Sequence, residues 1–112
     1  LATGNGSRLR QGLSVSDALD QAEVGGEPIS TLLAGDFNTW SERETTLRRL
    51  RAQFRDSPPP LEEGTRGAFP TDHILFRAGS GGVALCENSY SRLEGSYYSD
   101  HHPIQVRVRF GD

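Results

Sequence analysis

The chain has 112 residues, of which 34% are hydrophobic and 24% charged, with a formal net charge of −3 at pH 7. These values are typical of one globular domain and exclude an intrinsically disordered chain, and no apolar run has membrane-spanning length. The acidic balance also argues against a protein that holds nucleic acid mainly through a broad basic field, because such binding grows with the number of phosphates neutralised.

The first predicted elements are a helix and a strand. Apolar residues recur at helical spacing between about Ser7 and Glu23, and Gly25-Gly26 supplies a stop. Gly12 weakens the middle of this helix, and Ser14 with Asp17 three residues later could begin it there instead. The apolar, β-branched run from Pro28 to Ala34 predicts a buried strand with Asp36 at its carboxyl end.

A second helix is predicted from about Ser41 to Phe54. Ser41-Glu42-Arg43-Glu44 has the spacing of a capping box, and Pro58-Pro59-Pro60 forbids continuation of the helix. The chain has twelve arginines and no lysine. Many of these arginines fall in the stretches 8–10 and 43–55. Charge runs on helices usually face water, so we expect a solvated helix face there and not a stripe that contacts phosphates.

The rest of the chain is predicted to be a loop followed by strands. Leu61 to Pro70 lacks periodicity and predicts a surface loop. Asp72 to Arg77, Val83 to Tyr90 and Pro103 to Phe110 predict three strands, and the last of them alternates apolar and polar residues. The order of elements predicts a mixed α/β fold with about two helices on one sheet.

Polar side chains that could carry chemistry lie at the ends of these strands. Asp36 and Asn38 alternate, so both should project to one side while Phe37 points into the core, although such a segment is commonly only a turn. Asp100 could orient the imidazole of His101 before the last strand, or could simply form an Asx turn.

Asp72 adds a third carboxylate at the head of a strand. His73 beside it could be a metal ligand, and we expect it to be a surface residue. A structural metal site built from His73, His101 and His102 is disfavoured, because adjacent histidines on a strand point to opposite faces.

Three segments occur in an order that resembles the C-terminal signatures of the endonuclease/exonuclease/phosphatase superfamily, the DNase I-like family. They are Leu-Leu-Ala-Gly-Asp-Phe-Asn at 32–38, Thr-Asp-His-Ile-Leu-Phe at 71–76 and Ser-Asp-His-His-Pro-Ile at 99–104. The family includes pancreatic-type deoxyribonucleases, abasic-site endonucleases, sphingomyelinases and inositol polyphosphate phosphatases. Membership alone does not fix the substrate.

The resemblance implies a role for each matched residue. Asp36 would contact the attacking water as base or orienter, and Asn38 would hold that water or a phosphate oxygen. Asp72 would support a catalytic partner or help to place substrate and metal. Asp100 would help to hold the metal, and His101 would donate to a non-bridging phosphate oxygen.

The resemblance further implies a Mg²⁺- or Mn²⁺-dependent hydrolase acting on phosphodiesters or phosphomonoesters through an activated water. The substrate could be nucleic acid, a phospholipid head group or a small phosphodiester. A Mg²⁺ site needs only one or two protein carboxylates. The alternative is a non-catalytic DNase I-like module for binding or scaffolding.

The family domain is a four-layered α/β/β/α sandwich, and residues 1–112 correspond to its C-terminal half, with one sheet and about two helices. We therefore expect the N-terminal half, with its metal-binding glutamate, to be missing and the isolated fragment to be inactive. The sheet face that the absent half would cover should be apolar and exposed, so the fragment could also form a homodimer through it.

Overall fold

The structure, a computed structural model, describes residues 1–21, 28–95 and 97–111. Its elements are, in chain order, α1 (Asn5–Gln21), β1 (Thr31–Asp36), α2 (Thr45–Gln53), β2 (Asp72–Arg77), β3 (Val83–Leu85), β4 (Ser91–Arg92), β5 (Ile104–Gln105) and β6 (Val108–Phe110). This is the mixed α/β architecture with two helices that the sequence predicted. Within the described residues, no helix combines the length and apolarity needed to cross a membrane.

The single sheet expected from the sequence is replaced by three two-stranded antiparallel pairs, β1 with β2, β3 with β6, and β4 with β5. In the longest pair, the β1–β2 ribbon, Thr31 lies opposite Arg77 and Asp36 lies opposite Asp72. The C-terminal strands are two or three residues long. Such short pairs bury little surface on their own.

The hydrophobic core lies between one face of the β1–β2 ribbon and the helices. Its buried members are Phe37, Leu47, Leu50, Phe54 and Leu75, with Leu1, Leu19 and Leu33 packed at its edge. Side chains alternate along a strand, so Leu33 and Leu75 face this core while Asp36 and Asp72 lie on the opposite face. The core cluster therefore packs on the face of the ribbon opposite its two carboxylates.

α1 is continuous from Asn5 to Gln21, so the alternative start at Ser14 is wrong. A side chain at Gly12 would put its Cβ 2.9 Å from Thr46 Cγ2 of α2. Gly12 thus permits the close approach of the two helices, which outweighs its low helix propensity. The predicted helix end at Glu23 and the stop at Gly25-Gly26 lie outside the described residues.

α2 begins at Thr45, so the predicted start at Ser41 is wrong. Glu44 is the N-cap residue and its side chain makes no capping hydrogen bond. The Glu44 carboxylate instead accepts the N–H of Trp40 and, at 3.4 Å, that of Ser41. The Ser41 hydroxyl accepts the N–H of Arg43 at 3.1 Å. These bonds make 40–44 a turn that precedes the helix.

The strand boundaries differ from the predicted ones except at β2, which spans Asp72 to Arg77 as predicted. β1 begins at Thr31 and not at Pro28, because pairing with β2 begins there. The predicted strand from Val83 to Tyr90 ends at Leu85, since Asn88 has φ 56° and the Ser89 N–H closes a turn onto the Cys86 carbonyl at 3.3 Å.

The last predicted strand is interrupted between β5 and β6. The N–H of Arg107 donates to the Ser89 hydroxyl at 3.0 Å, so a side chain takes the place of a ladder partner there.

The expectation that the arginine-rich stretches form a solvated helix face is wrong for Arg8. Arg8 is fully buried, and its guanidinium donates to the carbonyls of Ala2 and Thr3 and to the side chains of Asn5 and Glu44.

Candidate functional site

Two carboxylates meet at one end of the β1–β2 ribbon. Asp36, the last residue of β1, lies directly opposite Asp72, the first residue of β2, so both side chains project from the same face. Asp36 is exposed and Asp72 is half-buried. Like charges placed directly across an antiparallel pair repel each other, so this arrangement favours a positive group between them.

His101 supplies a group of that kind. Its Nδ1 lies 2.6 Å from Asp72 Oδ2, and its Nε2 lies 3.8 Å from Asp36 Oδ2. The hydrogen bond to Asp72 raises the pKa of His101 above its ordinary value of 6.5, with further contributions from the charges of Asp72, Asp36 and Asp100. The imidazole therefore holds a proton more readily than a free histidine does.

Asp36, Asp72 and His101 offer ligand atoms that all lie within 4.8 Å of one another, and we call these residues the Asp-His cluster. Asp72 and His101 line an open pocket of about 420 Å³ together with Ile74, Ser99 and His102. The structure thus brings together three residues that the sequence singled out separately.

Thr65 connects the start of β2 with the segment that carries His101, and sequence reasoning missed it. Its hydroxyl accepts the N–H of Asp72 at 3.0 Å, and its carbonyl accepts the N–H of His102 at 2.6 Å. Its side chain is buried although it belongs to the expected surface loop. A threonine in an aperiodic segment carries no sequence signal for this role.

Asn38 fixes the Asp36 carboxylate through its main chain. Its N–H donates to Asp36 Oδ1 at 2.8 Å, and its φ of 53° places it in the left-handed region that asparagine tolerates. This is the turn that the sequence left open as an alternative, and it leaves Asp36 Oδ2 facing His101. The Asn38 side-chain amide donates to the Leu1 carbonyl.

Asp100 lies at the margin of the Asp-His cluster. Its Oδ2 accepts Arg66 Nε at 3.1 Å, and its Oδ1 lies 3.9 Å from His101 Nε2. The bond from Arg66 lowers the pKa of the exposed Asp100 carboxyl. The side chain that contacts the His101 imidazole most closely is Asp72 and not its neighbour in sequence, Asp100.

His73 is neither a surface residue nor a member of the cluster, so the surface expectation is wrong. It is buried on the core face of β2, where its Nε2 lies 2.8 Å from the Thr39 hydroxyl. That hydroxyl donates to the Pro70 carbonyl at 2.7 Å, so His73 Nε2–H must be the donor to Thr39. Burial lowers the pKa of His73. Strand alternation already placed it on the face opposite Asp72.

The donor set of the cluster fits a divalent cation that prefers oxygen. The directly opposed carboxylates of Asp36 and Asp72 provide the anionic oxygens that Mg²⁺ and Mn²⁺ bind, with an imidazole beside them.

No family model, curated protein or solved structure matches this chain.

Proposed function

We propose that this chain is the C-terminal part of a metal-dependent phosphoesterase of the DNase I-like kind, and that the Asp-His cluster is its hydrolytic centre. The observation that carries the proposal is the placement of His101 between two carboxylates from opposite strands. The order of the three sequence segments supports the same reading.

His101 has the properties needed to stabilise a phosphate oxygen. Its raised pKa keeps it protonated further into the neutral range, and Asp72 at Nδ1 leaves Nε2 as the nitrogen that can donate to substrate. A charged donor aimed at an oxygen where negative charge accumulates lowers the barrier most.

Asp36 is the candidate acceptor for the proton of the attacking water. Its Oδ1 is occupied by the Asn38 N–H, which fixes the carboxylate and leaves Oδ2 free to accept. A carboxylate held in this way can orient a water in line with a phosphorus atom, and orientation lowers the entropic barrier. Asn38 therefore acts here through its main chain as a positioning residue.

Asp72 would hold Mg²⁺ or Mn²⁺, with Asp100 at the margin as a further carboxylate, and Asp36 would remain the acceptor for the proton of the water. When bound, the cation neutralises charge on the phosphate and lowers the pKa of a bound water. The substrate is a phosphate ester, with nucleic acid, a phospholipid head group and a small phosphodiester as candidates.

The uncovered part of the ribbon supports the proposal that more of the domain packs against it. Leu32 and Ala34 lie on the carboxylate-bearing face of β1, and both are exposed. We propose that the N-terminal half of the sandwich covers this strip, and that a second copy does so when that half is absent. Light scattering that shows a monomer of the isolated chain at high concentration would contradict the second statement.

The test measures hydrolysis of methyl 4-nitrophenyl phosphate by the natural protein that contains this chain, with Mg²⁺ and with chelator. We expect Asp36→Asn and His101→Asn each to lower kcat by roughly 10²- to 10⁴-fold, the range for loss of an acid or base group. Asp17→Asn, an exposed carboxylate on α1, is the matched control and should be neutral.

Equal activity in all variants would overturn the proposal. Absence of hydrolysis in a folded natural protein that still binds phosphate esters would favour the non-catalytic module instead.

A further inference from the structure

An exposed aromatic pair lies on the two segments that adjoin Asp36 and Asp72 in sequence. Trp40 and Phe69 have ring centroids 4.6 Å apart at 58°, and they are 59% and 42% exposed. Trp40 follows the Asp36 turn by four residues, and Phe69 precedes Asp72 by three. We call these two rings the aromatic platform.

Hydrogen bonds fix the platform to the ends of the ribbon. The Phe37 N–H donates to the Thr71 carbonyl at 2.7 Å, and the Thr39 hydroxyl donates to the Pro70 carbonyl at 2.7 Å. These bonds join the segments that carry Trp40 and Phe69, so the rings are presented by a fixed backbone. Preorganised aromatic surfaces bind rings at low entropic cost.

Arg66 links the platform to the cluster. Arg66 and Phe69 exchange both main-chain hydrogen bonds, at 3.1 and 3.0 Å, across the tight turn at Gly67. Residues paired in this way carry their side chains on the same side. The Arg66 guanidinium in turn contacts Asp100 at 3.1 Å, and Asp100 lies 3.9 Å from His101. A continuous series of contacts therefore runs from Phe69 through Arg66 and Asp100 to His101.

We propose that the aromatic platform is a base-stacking subsite and that the substrate is single-stranded nucleic acid, an inference that rests on the proposed phosphoesterase function. A base would stack on the face of one ring and meet the edge of the other, because the two rings are tilted by 58°. Arg66 would face the adjoining phosphate, and the next phosphodiester would lie at the cluster. Stacking on aromatic side chains tolerates any base, because every base has a flat face.

The charge of the chain agrees with this mode of binding. With a net charge of −3, a strand gains little from a general attraction to phosphates, so contacts to the bases have to supply the affinity. A lipid surface is the weaker candidate occupant. Polar and charged residues that are themselves exposed flank both rings, namely Ser41, Arg43 and Arg66.

Trp40 is the only tryptophan in the chain, so its fluorescence reports on the platform directly. The full chain is titrated with a short oligothymidylate and, separately, with an oligomer of the same length that has the sugar-phosphate backbone but no bases. Chelator is present and the Asp36→Asn variant is included, so binding is read without turnover. We expect quenching with the first strand and little with the second.

Phe69→Leu should weaken oligothymidylate binding by roughly 5- to 150-fold, the loss expected for one stacked base. Phe110→Leu removes a ring that is more exposed than Phe69 (79% against 42%) and lies on β6, and it should leave binding unchanged. Equal quenching by the two strands, or unchanged binding in Phe69→Leu, would overturn the subsite. A Trp40 spectral shift with phosphatidylcholine vesicles and none with oligothymidylate would overturn it in favour of a lipid surface.

The two proposals fail separately. Hydrolysis of methyl 4-nitrophenyl phosphate with no base-dependent quenching would leave the phosphoesterase and remove the subsite. Base-dependent quenching of Trp40 in this chain, with no hydrolysis of the ester by the natural protein, would leave a strand-binding surface without catalysis.

Discussion

The ribbon region, residues 31–76, and the C-terminal region, residues 83–110, are packed very differently. Every large apolar side chain that is fully buried in the described residues belongs to the first, from Phe37 to Phe76. The apolar strand residues of the second are at most half-buried, and Phe110 is 79% exposed. The Asp-His cluster takes its two carboxylates from the first region and His101 from the second. The carboxylates therefore have a rigid support, whereas the histidine depends on a few hydrogen bonds.

The largest expected effect tests the packing contrast directly. Leu75→Ala empties a fully buried position in the ribbon region and should cost about 2–5 kcal/mol of unfolding free energy. Leu85→Ala makes the same change at a half-buried position of β3 and should cost markedly less. Chemical denaturation of both variants measures the difference. Equal losses would show that the C-terminal region is packed as tightly as the ribbon.

A second prediction concerns the contact between the Thr39 hydroxyl and His73 Nε2 at one end of the β1–β2 ribbon. Thr39→Val keeps the shape of the side chain but removes the buried hydroxyl that contacts His73 Nε2 and donates to the Pro70 carbonyl. The cost should be about 1–3 kcal/mol, the usual range for an unsatisfied buried polar group. Thr39→Ser keeps the hydroxyl and serves as the control. A Thr39→Val variant as stable as the Thr39→Ser variant would show that the contact contributes nothing.

The contrast also explains how much of the fold the sequence could predict. β2 was predicted to the residue because its short apolar run and the turn segments on either side of it agree. The C-terminal strands were predicted too long, because their apolar residues continue past points where pairing ends. The Ser89 hydroxyl replaces a ladder partner at Arg107, and no local propensity encodes such a long-range contact.

The same limit applies to the site. Asp36, Asp72 and His101 could be picked out as candidates, but the sequence did not show which aspartate contacts the imidazole. Asp36 and Asp72 become neighbours only when β1 and β2 pair. The tertiary fold then places the His101 imidazole against Asp72. Buried Arg8, Thr65 and His73 were missed for a related reason, because a polar residue becomes buried through partners that are remote in sequence.

The next prediction tests the hydrogen bond between Asp72 of the ribbon region and His101 of the C-terminal region. Asp72→Asn should lower the pKa of His101 toward 6.5, because the Asp72 carboxylate is the main cause of its elevation. NMR titration of the His101 ring protons measures this. Glu87→Gln, an exposed carboxylate on the β3–β4 turn, is the control.

The sign of the pH effect on stability follows from the raised pKa. A histidine that binds its proton more tightly when folded contributes its full stabilisation below the unfolded pKa, and this contribution is lost as pH rises through the folded pKa. The stability difference between the parent chain and Asp72→Asn should therefore be largest below about pH 6.5 and should shrink above it. A difference that grows with rising pH would contradict the assigned ion pair.

The smallest expected effect concerns the exposed ion pair between Arg66 and Asp100, at the margin of the Asp-His cluster. Arg66→Gln removes the guanidinium from Asp100, and both side chains are more than half exposed. Water and salt screen such a pair, so unfolding by denaturant should show no measurable loss of stability, while NMR titration should show the pKa of Asp100 rising toward 3.8. A clear loss of stability would mean that Arg66 braces the C-terminal region. An unchanged stability together with weaker oligothymidylate binding would instead assign Arg66 to the strand and not to the fold.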